Sequence, residues 1–192
     1  MNTRQRITVI TIILAAIAIV ATITAGAANR EASRAEKQQA QIARGQYLVG
    51  FGGCHDCHTP LKMGPKGPEP DMSRALSGHP EQLVMGPAPK LQGAWGWSAA
   101  HTNTAFSGPW GISYTANLTP DRVTGLGIWD EAMFVKTIRT GRHWGVGRPI
   151  LPPMPYQNLQ QLNDADLKAI YAYLHSIKPV KNQVPDAVIA QQ

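Results

Sequence analysis

Two cysteines three positions apart, followed at once by a histidine, constrain this chain more than any other feature. The pattern is Cys54-His55-Asp56-Cys57-His58, and the 192 residues contain no other cysteine. Two thiols at this spacing can form thioether bonds to the two vinyl groups of one porphyrin, and the histidine after them can offer a ring nitrogen to the iron. The sequence therefore predicts one covalent haem c, attached through Cys54 and Cys57, with His58 as an axial ligand.

Two other uses of the cysteine pair stay open. A thioredoxin-like redox pair belongs in a βαβ context, which the residues between 40 and 70 do not suggest. A structural zinc site needs two further well-spaced ligands, and His55 and His58 lie too close to the cysteines to serve easily. Haem attachment is the interpretation that uses all three residues of the motif.

The amino terminus predicts export. Residues 7–28 carry no charged side chain and follow Arg4 and Arg6. A span of about 20 apolar residues is long enough to cross a bilayer as a helix, and the arginines favour a cytoplasmic amino terminus. A cleavable signal peptide is the alternative, because Ala25-Gly26-Ala27 resembles a cleavage site. We therefore expect residues 29–192 in the bacterial periplasm, either anchored to the inner membrane by residues 7–28 or soluble after cleavage.

Three helices are predicted to surround the haem, at residues 31–50, 131–140 and 164–177. Asp130 and Asn163 are suitable N-cap residues for the second and third helices, which Gly141 and Pro179 end. Glycine and proline are frequent between 59 and 155 and favour long ordered loops. Because no stretch alternates like a strand, the predicted fold class is all-α.

The predicted organisation has four parts: a signal anchor or signal peptide at 1–28, a polar spacer at 29–41, the haem domain at 42–180 and a tail at 181–192. The net charge of +6 is modest. No run of lysine and arginine is interleaved with aromatic residues, so nucleic acid is not predicted as a partner.

The second axial ligand decides between electron transfer and reaction at the iron. A methionine thioether closes the iron and raises its potential. Met154 is predicted for this role, since Pro152-Pro153-Met154-Pro155 restricts the backbone and holds it extended. Other side chains remain candidates: Met63, Met72, Met85 and Met133, and for a bis-histidine haem His79, His101, His143 and His175.

Several motifs outside the haem attachment site resemble single-haem class I cytochromes c. The resemblance covers 42–180 and is more specifically to the haem domains in cytochrome c subunits of membrane-bound alcohol, aldehyde and gluconate dehydrogenases. It rests on Arg44-Gly45-Gln46-Tyr47-Leu48-Val49, Ser77-Gly78-His79-Pro80-Glu81, Asn117-Leu118-Thr119-Pro120-Asp121, Thr124-Gly125-Leu126-Gly127-Ile128-Trp129, Ile138-Arg139-Thr140-Gly141, Leu151-Pro152-Pro153-Met154-Pro155-Tyr156 and Leu167-Lys168-Ala169-Ile170-Tyr171-Ala172-Tyr173-Leu174.

This resemblance implies the class I cytochrome c fold, in which the helix with the Gly-x-Tyr motif crosses the final helix. It also implies that His58 and Met154 are the axial ligands. The expected function is electron transfer and not catalysis, either as a separate carrier or as the electron-transfer subunit of a dehydrogenase. The expected partners are a dehydrogenase, a terminal oxidase or both, and the membrane through the amino-terminal segment.

A haem enzyme or gas sensor with an open, peroxidase-like distal site is the alternative function. Two further stretches have roles that stay open. Segment 82–112 contains Trp95, Trp97 and Trp110, which either pack its loops, shield the haem or face a partner. A basic stretch before Met154 either steers an acidic partner, neutralises haem propionates or is simply a solvated face; it comprises Lys136, Arg139, Arg142 and Arg148.

Overall fold

The structure, a computed structural model, describes residues 2–190 and the side chains of residues 2, 24 and 26–190. The chain divides into two compact units, Met1–Ala40 and Gln41–Gln192. Helix α1 (Thr3–Phe51) contributes to both. In the first unit its described side chains are almost all exposed, as the polar composition of the predicted spacer at 29–41 suggests.

Local sequence signals determine the helices of the second unit. The side chain of Asp130 accepts a hydrogen bond from the Met133 amide (2.7 Å), and Gly141 ends that helix in the left-handed conformation at φ 64°. Asn163 caps the last helix in the same way, through the Asp166 amide (2.8 Å). The helices that follow α1 are α2 (Cys54–His58), α3 (Glu131–Thr140), α4 (Tyr156–Leu159) and α5 (Asp164–Ser176).

The carboxyl-terminal end of α1 packs against α5. A Cβ atom on Gly45 would lie 2.8 Å from the Cβ of Tyr173 and still closer to the backbone of Ala169, so only glycine permits this approach. Arg44 donates two hydrogen bonds to the Asp166 carboxylate, at 2.8 and 3.2 Å. The buried core around this helix pair includes Leu48, Val49, Leu76, Leu126, Phe134, Ile138, Leu167, Ile170 and Leu174.

The all-α prediction is wrong, because the structure contains two small antiparallel sheets among its described residues. One consists of β1 (Leu61–Gly64) and β2 (Gly67–Pro70). The strands of both sheets have only two to four residues, too few for a clear alternation. In the other sheet the strands are adjacent in chain order, and they are β3 (Ser98–Ala99), β4 (Ala105–Gly108), β5 (Gly111–Tyr114) and β6 (Val188–Ile189).

The carboxyl-terminal tail is fastened by one buried amide. Asn182 has no exposed surface. Its Nδ2 donates to the carbonyl oxygens of Ser77 (2.7 Å) and His79 (2.8 Å). Its Oδ1 accepts from Arg74 Nη2 (2.8 Å) and from the Glu81 amide (3.0 Å). The amide therefore holds residues 74–81 against a segment about 100 positions further along the chain.

The predicted anchor at 7–28 falls mainly on residues 7–23 and 25, which lie outside those whose side chains the structure describes. Among the described residues, we find no helix that combines the length and the apolar composition needed to cross a membrane.

Candidate haem site

A short helix carries the cysteine pair and the following histidine. Helix α1 ends at Phe51, and Gly53 turns the chain into α2 with a positive φ of 65°. A Cβ at Gly53 would also lie 2.8 Å from the Asp56 carboxylate, so both conformation and space favour glycine there. Cys54 and Cys57 are free, partly buried and about one helical turn apart. Residues at this spacing share one side of a helix.

Burial favours the protonated form of both thiols. It raises the pKa of Cys54 to about 11, and it also raises the pKa of Cys57, with a smaller contribution from the charge of Asp56. A protonated thiol supplies both the sulfur and the hydrogen that are added when a thioether forms across a vinyl group. Because the two sulfurs lie about one helical turn apart on one side of α2, the pair fits attachment of one porphyrin.

The His58 ring is oriented by a backbone carbonyl. The side chain is only 7% exposed, and its Nδ1 lies 2.8 Å from the carbonyl oxygen of Ala116. Since a carbonyl only accepts, Nδ1 carries the hydrogen and Nε2 keeps its lone pair. Burial lowers the pKa of His58, which also favours the neutral ring. A neutral imidazole oriented through its second nitrogen is what an iron ligand requires, so His58 fits the predicted role.

The carbonyl of Ala116 is held in place by its neighbours. The Thr115 amide donates to the Thr104 carbonyl (2.9 Å), and the Leu118 amide donates to the Leu76 carbonyl (2.9 Å). The side chain of Asn117 is buried and donates to the carbonyl of Val180 (2.8 Å). The sequence analysis did not identify Ala116, because a backbone carbonyl contributes no residue-specific signal.

The same segment supports the loop that contains Met154. Ser113 Oγ donates to the carbonyl oxygen of Pro152 (2.6 Å) and accepts from Trp110 Nε1 (3.2 Å). The Tyr156 amide then bonds to the Met154 carbonyl (2.9 Å). Residues 113–116 therefore hold the predicted methionine loop at one end and His58 at the other. The described contacts do not include one between Met154 and His58, so Met154 as the second ligand stays a prediction.

Segment 82–112 has a supporting role in these contacts. It contributes Trp110, which bonds to Ser113, and Trp97, whose ring meets Phe106 edge to face at 5.6 Å between centroids. Trp95, in contrast, is 77% exposed. Trp97 nevertheless remains 47% exposed, so the choice between packing, haem shielding and a partner surface for these tryptophans stays a prediction.

Three of the other candidate ligands, His79, Met63 and Met72, are less suitable in this structure. His79 is fully buried, and both of its ring nitrogens are hydrogen-bonded, to Thr104 Oγ1 (2.9 Å) and to the Leu83 carbonyl (2.9 Å). Met63 and Met72 are 79% and 62% exposed. Within the described part of the chain, no group of three or more histidine, cysteine, aspartate and glutamate side chains is arranged to hold a metal ion.

These features, an attachment helix with two thiols and a neutral, oriented histidine, define a protein with covalently bound haem. The sequence pattern of the cytochrome c family matches residues 42–178, and the chain belongs to that family. With one cysteine pair, it carries one haem c. The resemblance noted in the sequence is thereby confirmed, as are the cytochrome c fold and electron transfer as the function, whereas the all-α fold class is not.

Relatives with known roles are components of dehydrogenases. The chain is 30% identical over 175 residues to the cytochrome c subunit of a quinone-dependent alcohol dehydrogenase from Gluconobacter oxydans, an alignment that covers 90% of this chain and 28% of the relative. It is also 29% identical over 155 residues to the gluconate 2-dehydrogenase cytochrome c subunit from Pantoea cypripedii. This alignment covers 80% of this chain and 27% of the relative.

A third relative is a component of the nicotinate dehydrogenase of Pseudomonas putida. It is 42% identical over 81 residues, which are 42% of this chain and 7% of the relative. The chain therefore spans less than a third of the length of each of these relatives. The two relatives named for cytochrome c support an electron-transfer role for the chain and not a catalytic one.

Proposed function

We propose that this protein transfers single electrons through a haem whose iron is closed by His58 and Met154, in the chain that connects a dehydrogenase to respiration. The observation that carries the proposal is the segment 113–116, which supports both predicted ligands through Ser113 and Ala116. Iron with two protein ligands has no open position for a substrate. Such a site exchanges electrons with little structural change, and a thioether ligand raises its potential.

The dehydrogenase is proposed because the relatives that cover most of this chain are cytochrome subunits of alcohol, gluconate and fructose dehydrogenases. The proposed site of action is the bacterial periplasm. This rests on Arg4, Arg6 and the uncharged residues 7–28, and on haem c attachment outside the bacterial cytoplasm. The intact mass of the protein isolated from cells tests the amino terminus: retained residues 7–28 and a chain that begins near Ala28 give different masses.

A carbon monoxide titration of the haem-loaded protein tests the closed iron. We expect a low-spin ferric spectrum with the methionine charge-transfer band, and no spectral change when carbon monoxide is added to the ferrous protein. Met154→Ala should lose the band, bind carbon monoxide and have a lower midpoint potential. Met63→Ala, at an exposed methionine, is the matched control and should behave as the wild type.

Two results would contradict the proposal. A wild-type protein that binds carbon monoxide rapidly has an open iron, which supports the peroxidase-like or gas-sensing alternative. A Met154→Ala variant that keeps the wild-type spectrum and potential shows that another side chain closes the iron.

A further inference from the structure

A tight turn between α3 and the Met154 loop presents an aromatic side chain to solvent. We call residues 141–150 the basic turn. Its two ends are joined by the Ile150 amide, which donates to the Gly141 carbonyl (2.8 Å), and by the His143 amide, which donates to the Arg148 carbonyl (2.9 Å). Within this frame Trp144 has a φ of 56° and is 52% exposed.

The conformation of Trp144 is unfavourable for a bulky side chain. A positive φ at such a residue is sterically unfavourable and persists only where the surroundings impose it. Here backbone hydrogen bonds impose it, and the His143 ring stacks on Trp144 at 5.5 Å between centroids. The Trp129 ring in turn meets His143 edge to face. The turn therefore holds an exposed indole in one orientation despite an unfavourable backbone conformation. Backbone strain of this kind is typical of functional surfaces.

Three cations around this indole have no acidic partner in the described part of the chain. Arg142 and Arg148 are exposed, and their guanidinium groups bond only to the carbonyls of Gly147 (2.9 Å) and Pro149 (3.3 Å). Lys136 takes part in no ion pair with a described residue, and its side-chain carbons lie beside Gly145. The neighbouring Val146 is 70% exposed.

Arg139, the fourth cation of the predicted stretch, has a different role. Its guanidinium bonds to the carbonyls of Gln160 and Leu162 and to the Asp164 carboxylate (2.6 Å). It therefore joins α3 to the start of α5 and is not available to a partner. The unpaired charge is confined to Lys136, Arg142 and Arg148.

We propose that the basic turn, with Lys136 beside it, is the surface on which an acidic redox protein docks. The inference rests on the proposed electron-carrier function. The three cations complement a carboxylate-rich face and steer its approach. Trp144 supplies an anchor of the residue type that dominates binding energy in protein interfaces. The turn continues into the Met154 loop through Ile150, so a partner docked here meets the protein beside one of the predicted iron ligands.

Voltammetry of the haem-loaded protein on a gold electrode tests the docking surface, with a carboxylate-terminated thiol monolayer as the acidic surface. The test variant replaces Lys136, Arg142 and Arg148 by glutamine. The control variant makes the same change at Lys66, Lys90 and Lys178, which lie outside the basic turn, and so has the same net charge. We expect the test variant to lose at least about tenfold in electron exchange rate at low salt, and the control to change less than about twofold.

A second variant addresses the indole. Trp144→Gly tolerates the positive φ, so the turn keeps its conformation. On a monolayer that mixes carboxylate with methyl groups, this variant should adsorb several-fold less than the wild type, whereas on pure carboxylate the two should be similar. Equal adsorption on the mixed monolayer would refute the anchor role of Trp144.

The same voltammograms separate failure of this inference from failure of the proposed function. An absent reversible haem wave refutes the electron carrier, whereas a normal wave whose rate does not depend on the three cations refutes only the docking surface. A shifted midpoint potential in the test variant with an unchanged rate would assign the cations to the haem carboxylates and overturn the inference. Vesicles of phosphatidylcholine and phosphatidylglycerol test a lipid surface as the alternative. If the wild type and the control variant bind them and the test variant does not, the basic turn binds lipid and the inference is overturned.

Discussion

Replacement of Gly45 by alanine is expected to destabilise the protein, although alanine is the better helix former. The new Cβ would lie 2.5 Å from the carbonyl carbon of Ala169 and 2.8 Å from the Cβ of Tyr173. Carbon atoms in ordinary contact are about 3.5 Å apart, so α1 and α5 must separate by about 1 Å. The obstacle is the backbone of α5, which cannot rotate away as a flexible side chain can.

The size of the effect follows from two opposing contributions. Crowding of this kind in a packed core lowers the free energy of unfolding by up to about 3 kcal/mol. The change from glycine to alanine in a helix raises it by about 1 kcal/mol. Gly45→Ala should therefore lower the free energy of unfolding by about 2 kcal/mol. Gly50→Ala is the matched control on the same helix, because no atom lies within 4 Å of the added Cβ. It should raise the free energy of unfolding by about 0.5–1 kcal/mol.

Urea denaturation of the haem-loaded variants, followed by circular dichroism and by haem absorbance, measures both values. A coincident transition by the two probes supports a two-state comparison. If Gly45→Ala is as stable as the wild type while Gly50→Ala is more stable, the close approach of α1 and α5 is wrong.

Two further predictions concern buried polar side chains. Asn182→Ala should lower the free energy of unfolding by about 3 kcal/mol in urea denaturation, since it leaves the buried carbonyls of Ser77 and His79 without a donor; the exposed Asn158→Ala should have no effect. Burial lowers the pKa of His79 in the folded protein. The neutral ring therefore contributes its full stability above the unfolded pKa of about 6.5, and this contribution is lost as the pH falls through the lower pKa of the folded state. His79→Gln should flatten this pH dependence, and an unchanged slope would assign it to other groups.

Helices α3 and α5 could be predicted from the sequence because their signals are local, whereas the short helices α2 and α4 were not predicted. The N-caps Asp130 and Asn163 lie within three residues of the amides they bond. The end of α3 was predicted from Gly141, which does adopt the left-handed conformation. The haem attachment motif is equally local, since its functional side chains fall within five consecutive positions.

The four-stranded sheet could not be predicted in this way. Strand β6 consists of Val188 and Ile189, which pair with Gly111 and Ile112 from a distant part of the chain. Two residues cannot establish an alternating pattern, and a glycine in the partner strand weakens strand preference. The sheet is held by packing and by long-range pairing, which local patterns do not record.

The supporting contacts of the site were also missed, for a chemical reason. His58 is oriented by the carbonyl of Ala116, and Ser113 bonds to the carbonyl of Pro152. Arg139 was grouped with cations predicted to steer a partner or to neutralise propionates, but two of its three acceptors are carbonyls within the domain. Every residue has a carbonyl, so the sequence does not show which one a side chain will reach.

The buried amide of Asn182 has a consequence for the order of events during synthesis. Its partners lie about 100 positions earlier, between Arg74 and Glu81, and contacts at such separations form late in folding because closing a long loop is costly. Translation proceeds from the amino end, so Cys54 and Cys57 are made well before residue 182. The attachment motif is therefore present in the growing chain before the residue that fastens the tail.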